Sequence, residues 1–334
     1  MKAVWLFGVL LLSFQIQAKD IAYPNINIKN MNGFAKEFNT IGGENGQRVV
    51  VTDLPSLIRE AGDTTQSKII IINGEISSPT KVRVTLGRNK TIVGAFGGKN
   101  ILNNIHLITS DQSANIILEN LVFKHSPNIK GNDDIQLYIR SGKQYWIDHC
   151  SFVGHEWSDK DGSLDKLIYV GALADGITIS NSLFSNHRYG AIFGYPSDEY
   201  DEHYNGYPRM TISNNVYRNI EVRSPGLMRY GYYHVYNNLI QQYHLGYTLA
   251  QSAKVLSENN IFEMGNEKGL VDDKKNNTSF TDIGSYPTSI QRFSKPQSWK
   301  VSYDYHLMPV DVAKTWDEKY AGAQVNNNNF KYPK

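Results

Sequence analysis

The chain has 334 residues, with 34 Lys plus Arg against 32 Asp plus Glu and a formal net charge of +2. A balance so close to neutral, with no long basic run, argues against nucleic acid as a partner. The length allows one elongated domain, and Cys150, the single cysteine, excludes an intramolecular disulfide.

The first 18 residues read as a secretory signal: Lys2 is the positive end, Ala3 to Phe14 the apolar run, and Ile16-Gln17-Ala18 the cleavage site before Lys19. The run is too short for a membrane span, and no cysteine follows the cleavage site to carry a lipid. The expected product is a secreted or periplasmic chain with no membrane anchor, one domain over residues 19–334. Further along, Thr52-Asp53 caps a short helix predicted over Leu54 to Ala61.

From there one short pattern recurs: an aliphatic residue, a spacer, Asn or His, a spacer, then apolar or aromatic positions. It reads Leu118-Glu119-Asn120-Leu121-Val122-Phe123, then Ile147-Asp148-His149-Cys150-Ser151-Phe152, then Ile179-Ser180-Asn181-Ser182-Leu183-Phe184. It returns as Ile212-Ser213-Asn214-Asn215-Val216-Tyr217, Val235-Tyr236-Asn237-Asn238-Leu239-Ile240 and Ser257-Glu258-Asn259-Asn260-Ile261-Phe262. Asn214, Asn237 and Asn259 are 23 and 22 residues apart. Alternation within each copy argues against a helical solenoid, and so short a unit holds only a few brief strands. The reading is all-β: a right-handed parallel β-helix with short capping helices, whose coils stack roughly 4.8 Å apart. The asparagines then form an internal ladder at a turn. Beyond about Asn266 the repeat is lost, and a tail carrying Trp299, Tyr303, Tyr305 and Trp316 is expected to pack back along the cylinder, with a helix near Pro309 to Tyr320.

Chemistry concentrates in Val222-Arg223-Ser224-Pro225-Gly226-Leu227-Met228-Arg229, just ahead of His234-Val235-Tyr236-Asn237-Asn238. A guanidinium beside a Pro-fixed turn, with a second close behind, suits a grip on a carboxylated polymer. The 21 tyrosines suit sugar stacking, and equally a β core.

Several segments, taken in order, carry a resemblance. They are Gly33-Phe34-Ala35, Thr40-Ile41-Gly42-Gly43, Val49-Val50-Val51-Thr52, Lys90-Thr91-Ile92-Val93-Gly94 and Asn115-Ile116-Ile117-Leu118-Glu119-Asn120-Leu121. Trp146-Ile147-Asp148-His149, Arg223-Ser224-Pro225 with the His234 segment, Tyr303-Asp304-Tyr305 and Ala321-Gly322-Ala323 complete the series. Together they resemble the pectate lyase and pectin lyase family of polysaccharide lyases, nearly end to end.

The resemblance implies β-elimination on a uronate-containing polysaccharide: a base removes the C5 proton and the glycosidic oxygen leaves C4. It implies Arg223 as the catalytic arginine and Arg229 as a substrate-binding one, although five residues separate them here where the family commonly has four. A carboxylate next to C5 must be neutralised, in this family usually by Ca²⁺. Asp161 and Asp165 resemble the acidic ligand pair, with Asp133 or Asp134 as a third. Counting back from Thr178 without a gap instead puts Tyr169 on a ligand position. Tyr189 aligns with a basic substrate-binding residue, normally lysine, whose contact Arg188 could take over. Pectin lyases dispense with calcium and use basic side chains and aromatic walls, an option that Lys166, Tyr169 and Tyr189 leave open. Asp148 and His149 belong to the body of the helix in this family, and Trp157 serves equally for sugar stacking or loop packing.

The expected partner is an acidic polysaccharide met by a monomeric chain. Two other readings are a β-helix glycoside hydrolase using Asp161 and Asp165 as paired carboxylates, and a non-catalytic glycan-binding β-helix.

Overall fold

A computed structural model of the chain describes residues 21–129, 135–155, 165–194, 202–274, 276–287 and 295–333. Every pairing between its named strands is parallel, and three strips of strands run the length of a solenoid. The first strip contains Lys143–Asp148, Asp175–Ser180, Arg209–Ser213, Tyr232–Tyr236, Lys254–Glu258 and Ser279–Ile283, each in register with the next. The second follows the repeat's apolar end: Val122–Lys124, Ser151–Val153, the start of Leu183–Phe193, Val216–Val222, Leu239–Gln241 and Ile261–Glu263. The third runs through Leu137–Ile139, Lys166–Val170, the end of Leu183–Phe193, Gly226–Leu227, Tyr247–Leu249 and Val271–Asp273. The predicted parallel β-solenoid is therefore the observed architecture.

The repeat works because its two central positions do different jobs. Asn120, His149, Asn181, Asn214, Asn237 and Asn259 all bend the backbone between the first and second strips at φ of 46–58°. That left-handed region is one that Asn and His enter more readily than most side chains. The next residue turns inward. The Asn215 amide N–H donates to Asn238 Oδ1 at 3.0 Å, and that of Asn238 to Asn260 Oδ1 at 2.9 Å. Ser182 and Cys150 extend the ladder one way, and Ser285 the other. It satisfies bent backbone that no strand partner reaches.

Inside the second strip, Phe123, Phe152, Phe184 and Tyr217 stack at centroid spacings of 4.8, 4.9 and 4.7 Å with interplanar angles of 1°, 5° and 6°. Coil spacing and ring thickness thus coincide, and the stack is continuous with the aliphatic core of Ile147, Ile179, Ile212 and Val235.

The capping helix Leu54–Gly62 starts where Asp53 accepts from the Ser56 amide at 2.8 Å, and it buries Leu57 and Ala61 in the core. The tail helix Val310–Tyr320 follows Pro309. Ahead of it, Tyr303 lies edge-on to Phe34 at 5.1 Å, and Tyr305 edge-on to His234 at 4.4 Å. The tail packs against the outside of the first strip, as its aromatic content predicts. No described helix is long and apolar enough to cross a membrane.

Candidate active site

The third strip carries the site. Along Lys166–Val170 and Leu183–Phe193, Ile168, Val170, Ala191 and Phe193 face the core. Tyr169 and Ile192 face the other way and join Ile135, Met228, Ala250 and Tyr138 in an outer apolar stripe. Tyr138 and Tyr169, paired in register, bring their rings to 4.6 Å. Beside them is a cavity of about 310 Å³ whose lining includes Arg83, Arg140, Lys166, Tyr138 and Tyr169, with no acidic residue among the described ones. Sequence reading had not singled out Arg83, Arg140 or Tyr138. They lie far apart along the chain, and only the strand register brings them together.

Arg223 follows Val216–Val222 at φ 65°, and its carbonyl accepts from the Ala191 amide at 3.0 Å. Gly190 makes that approach possible, because a Cβ there would stand 2.7 Å from the Arg223 carbonyl oxygen. Register places Tyr189 opposite Val222 on one side and Lys166 on the other. The Arg223 guanidinium consequently stands 4.7 Å from the centre of the Tyr189 ring. Burial lowers the arginine's pKa, while Tyr189 and Asp165 oppose that shift.

Arg188 also lies by the Tyr189 ring, at 5.3 Å, and its Nε is 2.9 Å from Glu221 Oε2. Its charge is therefore partly committed within the protein. Lys166 forms an ion pair with Asp165, and its Nζ lies 5.7 Å from the Tyr169 ring centre. Asp165 is 3% exposed, and its carboxylate also accepts from the Lys166 amide at 3.0 Å.

Arg229 lies on the far side of the two-residue strand Gly226–Leu227. It is 1% exposed, its amide donates to the Ala250 carbonyl at 3.0 Å, and its guanidinium sits 5.4 Å from the Tyr204 ring centre. Asp161, Asp133, Asp134 and Trp157 lie outside the described residues. The structure therefore brings Arg223, Tyr189, Arg188, Lys166 and Asp165 together, while Arg229 follows the strand Gly226–Leu227 and faces the Tyr204 ring.

Of the carboxylates expected to hold calcium, Asp165 is the one described. A buried carboxylate already bound to an ammonium, beside a wall of Arg83, Arg140 and Lys166, is a poor start for a hard-cation shell of six to eight oxygens. Asp161, Asp133 and Asp134, the other expected ligands, lie outside the described residues, so of that set the structure shows only Asp165, paired with Lys166.

Asp148 and His149 are fully buried, with Nδ1 of His149 2.5 Å from Asp148 Oδ2. The Ser180 hydroxyl and Asn181 amide donate to the other oxygen of Asp148, and the His149 ring packs against Phe330. The pair braces the first strip where the tail crosses it, the structural role expected.

Comparison with known proteins agrees with this geometry. The sequence matches the pectate lyase family over residues 19–326. It is 51% identical to a pectin lyase of Pectobacterium carotovorum over 94% of this chain and 100% of the relative. It is 48% identical to a pectin lyase of Pseudomonas marginalis over 91% of this chain and 98% of that one. In fold it is similar to a pectate lyase of Bacillus sp. N165 in complex with trigalacturonate, with a TM-score of 0.75 at 20% identity, covering 88% of this chain and 99% of that structure. A parallel β-solenoid with a guanidinium at the turn between its second and third strips, and this extent of identity, have one meaning: the chain belongs to the pectate lyase family and is a polysaccharide lyase.

Proposed function

We propose that this lyase is a secreted pectin lyase, cleaving methyl-esterified polygalacturonate by β-elimination without a resident calcium ion. The observation that carries the reading is the Asp165–Lys166 ion pair beside a basic and aromatic wall. It neutralises the described carboxylate from within and leaves basic side chains and aromatic faces, rather than a bound metal, to hold the sugar chain. The relatives that share about half of this sequence are named pectin lyases, which supports the same substrate.

Esterification changes the chemical problem. A C5 proton beside a full carboxylate is barely acidic, whereas beside an ester the carbanion-like transition state is easier to reach. What remains is a base and a positive field where charge develops. Arg223 serves as the base that takes the C5 proton. Desolvation moves it in the direction a base needs, each pKa unit being worth about 1.4 kcal/mol. Lys166 and the Tyr189 and Tyr169 rings then hold the ester-bearing sugar, Arg188 orients Tyr189, and Arg229 braces the turn beyond Gly226–Leu227. The N-terminal Lys2 and the apolar run to Phe14 support export.

The test is to follow ultraviolet absorbance and reducing ends on highly esterified and on de-esterified galacturonan, with and without excess chelator. Both signals should rise on the esterified polymer and survive chelation. Turnover on the de-esterified polymer that is lost to chelator and restored by calcium would overturn the proposal.

A further inference from the structure

A second cluster of ligating side chains lies in the same coils, at the end of the second strip. Each of His125, His155 and His187 offers one ring nitrogen, and these atoms lie within 4.8 Å of one another. His125 and His187 are buried, and His155 is half-buried.

The bland alternative is another stacked ladder, and two residues earlier in each coil there is one. Phe123, Phe152 and Phe184 lie flat on each other, with interplanar angles of 1° and 5°. The imidazoles do not continue that arrangement. His125 and His155 cross at 61°, His125 and His187 at 58°, and His155 and His187 at 84°, with centroids 4.9–5.6 Å apart. Rings that stack gain from parallel offset faces. These are tilted or edge-on, and each brings one ring nitrogen within 4.8 Å of the other two.

Register explains the convergence. Phe123 pairs with Phe152, so Gly154 occupies the position level with His125, and His155 lies one residue further on. A Cβ at Gly154 would stand 2.4 Å from His187 Nδ1. The Gly154 backbone therefore packs against that nitrogen, a closeness that no side chain at position 154 would permit. At the other side of the ring, His187 Nε2 lies 2.7 Å from the Asp165 carbonyl oxygen. A carbonyl only accepts, so Nε2 carries the proton and Nδ1 presents its lone pair. Ligating histidines are typically held in this way, by a hydrogen bond from the second ring nitrogen to a carbonyl.

We propose that His125, His155 and His187 bind one first-row divalent transition ion, Zn²⁺ fitting best, as a clamp across three coils. Three neutral imidazoles and a water satisfy a tetrahedral zinc shell, at Zn–N distances of about 2.0–2.1 Å. Around such an ion neighbouring nitrogens are roughly 3.4 Å apart. Small ring rotations from the present positions reach that spacing. The site is distinct from the groups around Arg223, although the Asp165 carbonyl links it to the residue that pairs with Lys166.

The experiment uses the tag-free mature chain, stripped with chelator and dialysed into metal-free buffer. Zn²⁺ is titrated by calorimetry, and Co²⁺ is added separately to read the ligand field. Expected are one equivalent bound with Kd on the order of a micromolar or tighter, visible Co²⁺ bands of a low-coordinate nitrogen site, and a melting temperature that rises with Zn²⁺. His155→Ala, at the half-buried member, should weaken Zn²⁺ at least tenfold while leaving the circular dichroism unchanged. Binding of the same strength in His155→Ala and in His125→Gln would overturn the site, as would absence of the Co²⁺ bands in the unmodified chain. That last reading needs no variant to fold.

Discussion

The Arg223 guanidinium lies 4.7 Å from the centre of the Tyr189 ring because the register sets Tyr189 against Val222, one residue before Arg223. A cation over an aromatic face gains about 0.5–2 kcal/mol depending on desolvation. More important here, the ring fixes where a long, flexible side chain points. Gly190 and the left-handed backbone at Arg223 complete the geometry.

Arg223→Lys should therefore retain the fold and lose at least about a hundredfold in kcat, roughly 2.7 kcal/mol in barrier. Lysine keeps the charge but not the planar fork or its ring contact. Initial rates on esterified galacturonan decide this, and a loss of only a few-fold would remove Arg223 from the chemistry.

Tyr189 separates ring from hydroxyl. Tyr189→Phe should stay within a few-fold of the parent, whereas Tyr189→Ala should lower kcat about tenfold or more by releasing Arg223. Equal effects of the two substitutions would place the function in the hydroxyl.

Lys166→Gln removes the cation from the buried Asp165 carboxylate. The expected cost is about 3 kcal/mol of stability, read from denaturant unfolding. Adding Asp165→Asn to that variant should recover much of the loss, since the uncompensated charge goes with it. A double variant no better than the single one would show that the pair contributes nothing as a pair.

Asn238 holds the inward ladder from both sides. Its Oδ1 accepts from Asn215 at 2.9–3.0 Å, and its Nδ2 donates to Ile212, Tyr236 and Asn260 at 2.9–3.0 Å. Asn238→Ala strands several buried partners at once and should destabilise by about 3 kcal/mol or more. Asn237→Gly keeps the left-handed bend beside it but removes the side chain's two hydrogen bonds with the Met308 backbone, so it should destabilise by freeing the tail rather than the ladder. Thermal melts of the two variants compare the roles directly.

Glu119 gives a pH dependence. Burial first, then the nearby Asp148 carboxylate, pushes its carboxyl up to about 8, while the Tyr332 hydroxyl, donating at 2.5 Å, acts the other way. The unfolded chain releases this proton near 4.5 and the folded chain near 8. Between those values the folded state binds more protons, so this group's contribution to stability falls as pH rises. Melting temperature should decline across that range, and Glu119→Gln should flatten the decline. An unchanged slope in the variant would assign the pH dependence elsewhere.

Much of this was legible in the amino-acid order. The recurring Asn or His at a fixed place in each copy, at 22–23-residue spacing over its later copies, is a local signal. Each coil must bend its backbone the same way, and few side chains tolerate that bend. Helix starts at Asp53 and Pro309 were equally local. Arg223 stood out because a Pro-turn followed by a patterned strand is contiguous in the chain. The division of labour within each Asn-Asn pair was not visible, since two adjacent asparagines look alike until one faces the core and the other the bend. Nor was the wall formed by Arg83, Arg140, Tyr138 and Lys166, or the convergence of His125, His155 and His187. Both depend on parallel register between coils separated by 20 to 35 or so residues, and a shift of one position, as at Gly154, decides which side chains meet. Local order determined the solenoid and its turns; which groups share a site was set by stacking, because contacts between coils are made at equal height and not at equal spacing along the chain.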